Sequence, residues 1–239
     1  MFYLIGLGLD VKGISIEGWE ICGKCEKLYL ESYTIELPYK IKELEKFLGK
    51  KVIELDREQV EGEKFIDEAK TKDIALLAYG SPLAATTHIS LLLKCKKENI
   101  PFKIFHNASI LDAVAETGLQ LYKFGKTASM PKWRGSYRPM SFIEIIKENS
   151  DIGAHTLLLA DIGLNFNDAL NQFQGALKKN KLKMGLIIVC SRLGTDGKNI
   201  VCGNIEDLKN EKINSPFCII IPSELHFLEE EALGLKEKI

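Results

Sequence analysis

The sequence lacks an excess of charge of either sign. Its 239 residues include 32 Lys and Arg against 33 Asp and Glu, which gives a formal net charge of −1 at pH 7. A nearly neutral chain has no long-range field that would hold a polyanion. The first residues, 1–6, also lack the basic cluster that opens a signal peptide. We therefore expect a cytoplasmic protein with no membrane contact and no direct nucleic-acid partner.

The sequence also lacks the residue spacings that hold metal ions. Its six cysteines supply one C-x-x-C pair, Cys22 and Cys25, and the other four are scattered. A four-cysteine zinc site usually has two such pairs. Positions three apart share one face of a helix, so the pair is interpreted as two small buried thiols. We predict no metal site, and we assign no general base among the four separate histidines, His88, His106, His155 and His226.

A dinucleotide-binding glycine motif is incomplete. Gly6 and Gly8 follow the first apolar segment, but Val11 stands where the third glycine of G-x-G-x-x-G is required. The two glycines remain open to two interpretations. They permit a tight turn after a strand, or they let a ligand approach the backbone closely.

Apolar runs alternate with amphipathic segments along the whole chain. The runs show no two-residue alternation, which is typical of parallel strands covered on both faces, and they lie at 2–5, 74–78, 102–105, 156–162, 186–190 and 218–221. The amphipathic segments predict helices at 38–48, 57–70, 87–99, 142–148, 167–179 and 224–236. Strands that alternate with helices indicate an α/β protein.

Small or flexible residues follow five of the predicted strands, at 6–8, 80–82, 107–109, 161–163 and 192–194. In open α/β sheets a ligand binds beyond the carboxyl ends of the strands. We therefore predict two α/β domains, residues 1–108 and 109–239, with these strand ends around one ligand cleft.

The turn that begins at Gly80 is the most informative of these strand ends. Its sequence, Gly80-Ser81-Pro82, directly follows the apolar run 74–78. Small residues let a ligand approach the backbone and Pro82 stiffens the turn, while Thr86 or Thr87 is predicted to cap the next helix. We expect the chemistry of the protein at this position.

Four segments, 3–9, 80–88, 106–110 and 153–162, are similar to those of the diphthine synthase family. The resemblance continues to 222–226 and so covers nearly the whole chain. The sequences Thr86-Thr87-His88 and His155-Thr156-Leu157 are specific to this family, whereas the Gly-x-Gly strand end is shared across the wider fold. The resemblance implies the tetrapyrrole methylase fold, with S-adenosyl-L-methionine in the cleft between two α/β domains, and a homodimer.

The resemblance also implies an activity. Members of the family are S-adenosylmethionine-dependent methyltransferases that methylate the modified histidine of translation elongation factor 2, forming diphthine in diphthamide biosynthesis. Methyl transfer from a sulfonium is an in-line displacement, so the protein mainly has to align donor and acceptor and keep the amine neutral. The absence of an acid-base triad from the sequence is consistent with such a reaction.

Cofactor contacts are implied at positions that match those of the family. They are Leu9, Ser81, Ala84, Ser109 and Ile110 in the first half, and Ala160, Leu193 and Phe217 in the second. The family usually has Asp at position 81, Val at position 84, and often a polar residue at position 217. A hydroxyl replaces only part of the hydrogen bonding of a carboxylate, so we expect cofactor binding to be weaker by about 1 to 3 kcal/mol.

Two other functions remain open from the sequence. One is a methyltransferase of the same fold that acts on a tetrapyrrole or on ribosomal RNA, although near-neutral charge disfavours RNA. The other is a cofactor-binding protein that has lost turnover, which the Ser81 substitution suggests.

The connection 123–138 stands out because it carries five cations and no acid. It is too long for an ordinary loop. It is interpreted either as a solvated surface loop or, because it contains Trp133 and Tyr137, as a segment that binds the protein substrate.

Overall fold

The computed structural model describes residues 1–235. The chain divides into two compact units, Met1–Leu111 and Asp112–Ile239, and each is described by itself. The last residue of the predicted helix 224–236 lies outside the described residues. Both units combine a five-stranded sheet with helices, as predicted for the fold class.

The first unit contains a wholly parallel sheet. Its strands are β1 (Phe2–Gly6), β2 (Lys27–Glu31), β3 (Ile53–Leu55), β4 (Ile74–Ala78) and β5 (Phe102–Phe105). Their order across the sheet is β3-β2-β4-β1-β5. Every residue of β4 is buried, because separate apolar clusters cover the two faces of the sheet. The prediction of parallel strands covered on both faces is confirmed for β1 and β4, whereas β5 is parallel to β1 but lies at the edge of the sheet with Lys103 exposed.

The helices of the first unit are α1 (Ile16–Lys24), α2 (Ile41–Leu48), α3 (Arg57–Glu61), α4 (Ile89–Lys97) and α5 (Ile110–Ala113), whose end passes into the second unit. The predicted helix 57–70 is wrong as a single element. It stops at Glu61 and resumes as a 3₁₀ helix, Lys64–Lys70, because Glu63 adopts a left-handed conformation with φ of 57°. Gly49 ends α2 with φ of 66°, the helix end that was predicted.

The second unit contains a mixed sheet. Its strands are β6 (Ala128–Met130), β7 (Thr156–Ala160), β8 (Ile187–Ser191), β9 (Asn199–Gly203) and β10 (Phe217–Ile221). Their order is β6-β7-β10-β8-β9, and β10 runs antiparallel to both β7 and β8. The expectation of parallel strands is therefore wrong for β8 and β10, whereas β7 pairs in parallel with β6. An apolar run reports burial on both faces, whereas the connections between strands set their direction.

The helices of the second unit are α6 (Ser141–Asp151), α7 (Phe166–Lys179), α8 (Ile205–Leu208) and α9 (Phe227–Ala232). A cluster of apolar residues from α6, α7 and the strands forms the core, with Phe142 and Phe173 fully buried. The basic connection 123–138 is not a continuous loop, because β6 lies within it and pairs with β7. None of the helices in residues 1–235 is long and apolar enough to cross a membrane.

Candidate functional site at the strand ends

The carboxyl ends of β1, β4 and β5 meet at one edge of the first sheet. The strands are in parallel register, with Ile5 opposite both Leu77 and Phe105. Beyond the strands, Gly8 N donates to Gly80 O at 3.2 Å and Gly80 N donates to Gly8 O at 2.9 Å. Both glycines have left-handed φ values, +71° and +72°, which glycine adopts without strain. The two predicted turns are therefore joined by their backbones.

Gly6 lies where three segments approach most closely. A Cβ atom at this position would lie 2.6 Å from Gly80 O and 2.9 Å from Pro82 Cδ, so only glycine fits. The Asn107 side-chain amide completes the junction by donating to Gly6 O at 3.0 Å and to Gly13 O at 2.9 Å. This bridging role of Asn107 could not be foreseen, because its partners are far away in sequence.

The turn after Gly80 presents small side chains. Ser81 and Ala84 are half-buried, and Ala84 N donates to Ser81 O at 3.1 Å. The prediction that Thr86 or Thr87 caps the next helix is wrong. Helix α4 starts after His88 without a side-chain cap.

The carbonyl oxygen of Pro82 accepts hydrogen bonds from two side chains that follow it in the sequence. It accepts from Thr86 Oγ1 at 3.0 Å and from His88 Nδ1 at 2.8 Å. These two bonds hold the turn in place. A carbonyl only accepts, so Nδ1 of His88 donates to it.

The other predicted contacts of the first unit lie beside this turn. Leu9 is buried, and its carbonyl accepts from the Tyr79 hydroxyl at 2.9 Å. Ser109 is buried and accepts from Leu111 N at 3.2 Å, and Ile110 is half-buried at the start of α5. Ser109 Cα lies 3.7 Å from the position that a Cβ atom on Gly80 would occupy. The sheet edge thus collects all five predicted residues of the first unit.

The three predicted contacts of the second unit lie at one edge of the second sheet. Ala160 ends β7, Leu193 follows β8, and Phe217 starts β10. Because β10 is antiparallel, its first residue lies at the ends of its neighbours, with Phe217 opposite Ser191. Leu193 is buried, and the Phe217 ring packs edge-on against Phe166 at 5.6 Å.

Two charged side chains at this second edge form hydrogen bonds with backbone groups. Asp161 Oδ1 accepts from Ile162 N at 3.0 Å and Oδ2 accepts from Lys132 N at 3.0 Å, so Asp161 caps the strand end as a structural residue. Arg192 Nε donates to Ser215 O at 2.8 Å. Within residues 1–235 it makes no ion pair with a carboxylate.

The basic connection borders a groove of about 300 Å³. Lys132 and Arg138 line it, with Trp133 between them and the Arg138 guanidinium 5.5 Å from the Trp133 ring. Trp133 is anchored, since its N donates to Gln172 Oε1 at 2.9 Å and its Nε1 to Pro139 O at 3.0 Å. The connection is therefore an ordered surface that carries exposed cations.

His155 lies in a buried network and is not exposed to solvent. Its Nδ1 accepts from Ser223 N at 3.0 Å and its Nε2 donates to Glu229 Oε1 at 3.2 Å. Glu229 also accepts from Lys123 Nζ at 2.7 Å. Burial lowers the pKa of His155, and the backbone amide of Gln120 and the Lys123 ammonium outweigh burial to lower that of Glu229 to about 2. His155 is a structural residue.

Cys22 and Cys25 are both buried and free, and they pack in one apolar cluster, as interpreted from the sequence. Burial raises the pKa of Cys22 to about 12 and that of Cys25 to about 11, so both remain thiols. No set of three or more His, Cys, Asp or Glu side chains in the described part of the chain is arranged to hold a metal ion.

Comparison with known proteins identifies the family. A family model for tetrapyrrole (corrin/porphyrin) methylases matches residues 1–209. The chain is 42% identical to the diphthine synthase of Methanocaldococcus jannaschii, covering 98% of this chain and 97% of that protein. It is 35% identical to the human diphthine methyl ester synthase, covering 98% and 94%. A crystal structure of a diphthine synthase superposes with a TM-score of 0.88 at 34% identity, covering 98% and 94% of the two chains. This chain therefore belongs to the tetrapyrrole methylase family and, within it, to the diphthine synthases.

Proposed function

We propose that the protein is an S-adenosylmethionine-dependent methyltransferase that methylates the modified histidine of translation elongation factor 2 in diphthamide biosynthesis. Similarity to diphthine synthases over 98% of the chain supports this reaction. The observation that carries it is the junction of Gly8, Gly80, Ser81 and Ser109 at one sheet edge. Such an edge is where α/β proteins bind ligands.

The residues at this edge fit S-adenosylmethionine. The positive φ of Gly8 and Gly80 keeps side chains out of the turn, and the half-buried Ser81 and Ala84 are small. Apolar Leu9 and Ile110 border them and suit an adenine ring or a methionine chain. Leu9, Ser81, Ala84, Ser109 and Ile110 are the proposed cofactor contacts of the first unit. Ala160, Leu193 and Phe217 stay predicted contacts from the second.

The residues act by positioning. When bound, S-adenosylmethionine supplies a methyl group on an electron-poor sulfur. The rigid turn Gly80-Ser81-Pro82, fixed by the bonds to Pro82 O, holds one reactant relative to the sheet. Alignment of two reactants in a site that excludes water can lower the activation barrier by up to about 7 to 11 kcal/mol.

We also propose that the protein works as a cytoplasmic homodimer. Sedimentation equilibrium of the purified chain measures the oligomeric state directly. A single species with twice the chain mass of 26.8 kDa is the expected result, and a monomer at all concentrations contradicts it.

The proposed reaction is tested with labelled cofactor. The protein is incubated with methyl-labelled S-adenosylmethionine and elongation factor 2 that carries the unmethylated modified histidine. We expect label on that histidine, located by peptide mass spectrometry. Label on a tetrapyrrole or on ribosomal RNA supports another methyltransferase of the fold. Cofactor binding by calorimetry without any transfer indicates a protein that has lost turnover.

A further inference from the structure

A buried carboxylate lies beside the proposed cofactor edge. Glu31 is the last residue of β2 and is only 3% exposed. Strand β2 is parallel to β4, with Leu30 opposite Leu77, so Glu31 lies at the same edge of the sheet as Gly80 and Ser81. It lies on the flank of β4 opposite β1, because the strand order is β2-β4-β1.

Glu31 has no cationic partner among residues 1–235. Its Oε1 accepts from the Thr34 hydroxyl, but its Oε2 is buried and accepts no hydrogen bond. Among the described residues no Lys, Arg or His nitrogen lies within 4.0 Å of it. Burial of an unpaired carboxylate is costly, so such a group calls for an explanation such as a bound water, an ion or a ligand. The free oxygen therefore indicates a ligand that brings positive charge or donors.

Tyr33 lies two residues after Glu31 and carries a buried hydroxyl. Burial raises the pKa of this hydroxyl, the Thr87 side chain lowers it in part, and the charge of Glu31 raises it further, so Thr87 and Glu31 both lie near Tyr33. The Arg57 guanidinium lies 5.2 Å from the centre of the Tyr33 ring, which shows that this ring attracts cations.

We propose that Glu31 and Tyr33 bind the amino group of the acceptor side chain in its cationic forms, as the ammonium before it loses a proton to water and as the methylated ammonium after transfer. The proposal rests on the proposed function, because it assigns one subsite of that reaction. A carboxylate attracts this group at every stage of methylation, and an aromatic ring attracts it even when no N–H remains. The predicted cofactor contacts of the first unit follow β1, β4 and β5, so Glu31 on β2 is left for the acceptor.

Kinetics of Glu31→Gln test the site. The variant removes the charge but keeps an oxygen for Thr34. We expect kcat/KM for elongation factor 2 to fall about 10-fold to 100-fold, as for loss of a charge-assisted bond, while the calorimetric Kd of S-adenosylmethionine changes less than twofold. Glu54→Gln is the matched control, since Glu54 is exposed on the neighbouring strand β3. Glu31→Asp retains the charge and should recover part of the loss.

Three results with these variants overturn the proposal. Unchanged transfer by Glu31→Gln means that Glu31 does not contact the acceptor. Parallel loss of cofactor affinity assigns the carboxylate to the ammonium of the cofactor. A lowered melting temperature with no recovery in Glu31→Asp assigns it a structural role.

A direct titration separates this subsite from the proposed function. Wild-type protein saturated with S-adenosylhomocysteine is titrated with tetramethylammonium chloride, and the ring signals of Tyr33 are followed by NMR. We expect a saturable shift that requires at least tenfold more ligand in Glu31→Gln. No saturable shift in the wild type overturns the subsite. A saturable shift without methylation of elongation factor 2 supports the subsite and contradicts the proposed function.

Discussion

At the residue scale, Gly6 and Ser81 contribute to the candidate site in different ways. Gly6 is fixed by packing, since a side chain there would overlap Gly80 O and Pro82 Cδ. Ser81 is half-buried and faces no such restriction. Substitution at Gly6 should therefore change stability, whereas substitution at Ser81 should change ligand affinity.

Gly6→Ala should destabilise the first unit. Its Cβ would lie 2.6 Å from Gly80 O, so the joined turns must move apart. Overpacking of this kind typically costs about 1 to 3 kcal/mol. Denaturant unfolding measures the loss, and cofactor titration should show weaker binding. Gly23→Ala in α1 is the control, because nothing lies within 4 Å of its added Cβ and alanine favours a helix. Equal stabilities of both variants would contradict the steric argument.

Ser81→Asp should keep or tighten cofactor affinity. The added carboxylate restores the residue that the family usually has, and a charge-assisted bond contributes about 1.5 to 3 kcal/mol, or roughly 10-fold to 100-fold in Kd. Ser81→Trp should block the site by bulk. Calorimetry with S-adenosylhomocysteine measures both. If both variants bind as the wild type does, Ser81 is not a cofactor contact.

At the scale of elements, α9 is held to the second unit by the buried network of His155 and Glu229. Gly118 also packs tightly against this helix, because a Cβ there would lie 2.2 Å from Ala232 Cβ. No local pattern predicts this network, because its members are up to 109 residues apart. Its two titrating groups have pKa values below their ordinary ranges.

The network should make the protein sensitive to acid. A lowered pKa of Glu229, about 2, stabilises the fold above the unfolded value near 4.5, and this contribution is lost as pH falls towards 2. The lowered pKa of His155 acts in the same direction, because the fold favours the neutral ring and loses stability below about 6.5. We expect the melting temperature to fall from pH 7 to pH 4.

Glu229→Gln should lower stability at pH 7 by about 3 kcal/mol, because it leaves Lys123 without its buried partner. It should also flatten the dependence of melting temperature on pH below 4.5. Glu231→Gln on the same helix is the control, since its side chain is exposed. A pH profile of Glu229→Gln that parallels the wild type would contradict this assignment.

At the scale of the whole molecule, the segment 123–138 carries exposed cations at Lys126, Arg134 and Arg138. They form an ordered surface around Trp133, with a groove of about 300 Å³. A near-neutral chain that must bind a large protein benefits from such a local patch. We keep the hypothesis that this surface binds the protein substrate.

Replacement of Lys132, Arg134 and Arg138 by Ala should slow methyl transfer to elongation factor 2, most strongly at low salt. Exposed charges mainly change the association rate, so a loss of about tenfold at low ionic strength should shrink at high ionic strength. Cofactor affinity should stay unchanged. The control replaces three exposed lysines elsewhere, Lys178, Lys179 and Lys183. Unchanged transfer in the first triple variant would mean that the segment is a solvated surface and does not bind the substrate.

The sequence by itself determined the fold class, the family and the positions of the strands β1, β4 and β5. Apolar runs such as 74–78 are long enough to specify burial on both faces, and turn residues such as Gly80 mark the strand ends locally. These signals depend on neighbours in sequence, so one chain is enough to detect them. Strands with charged or exposed residues, such as β2 and β3, gave too weak a pattern to be predicted.

Only the tertiary structure decided which distant residues meet. The antiparallel direction of β10 brings Phe217 to the end of β8, and the Asn107 amide bridges Gly6 and Gly13. That Oε2 of Glu31 lacks a partner follows only from the positions of its neighbours in the folded chain. The physical reason is that strand direction and the pairing of buried polar groups depend on long-range contacts, which local propensity does not encode.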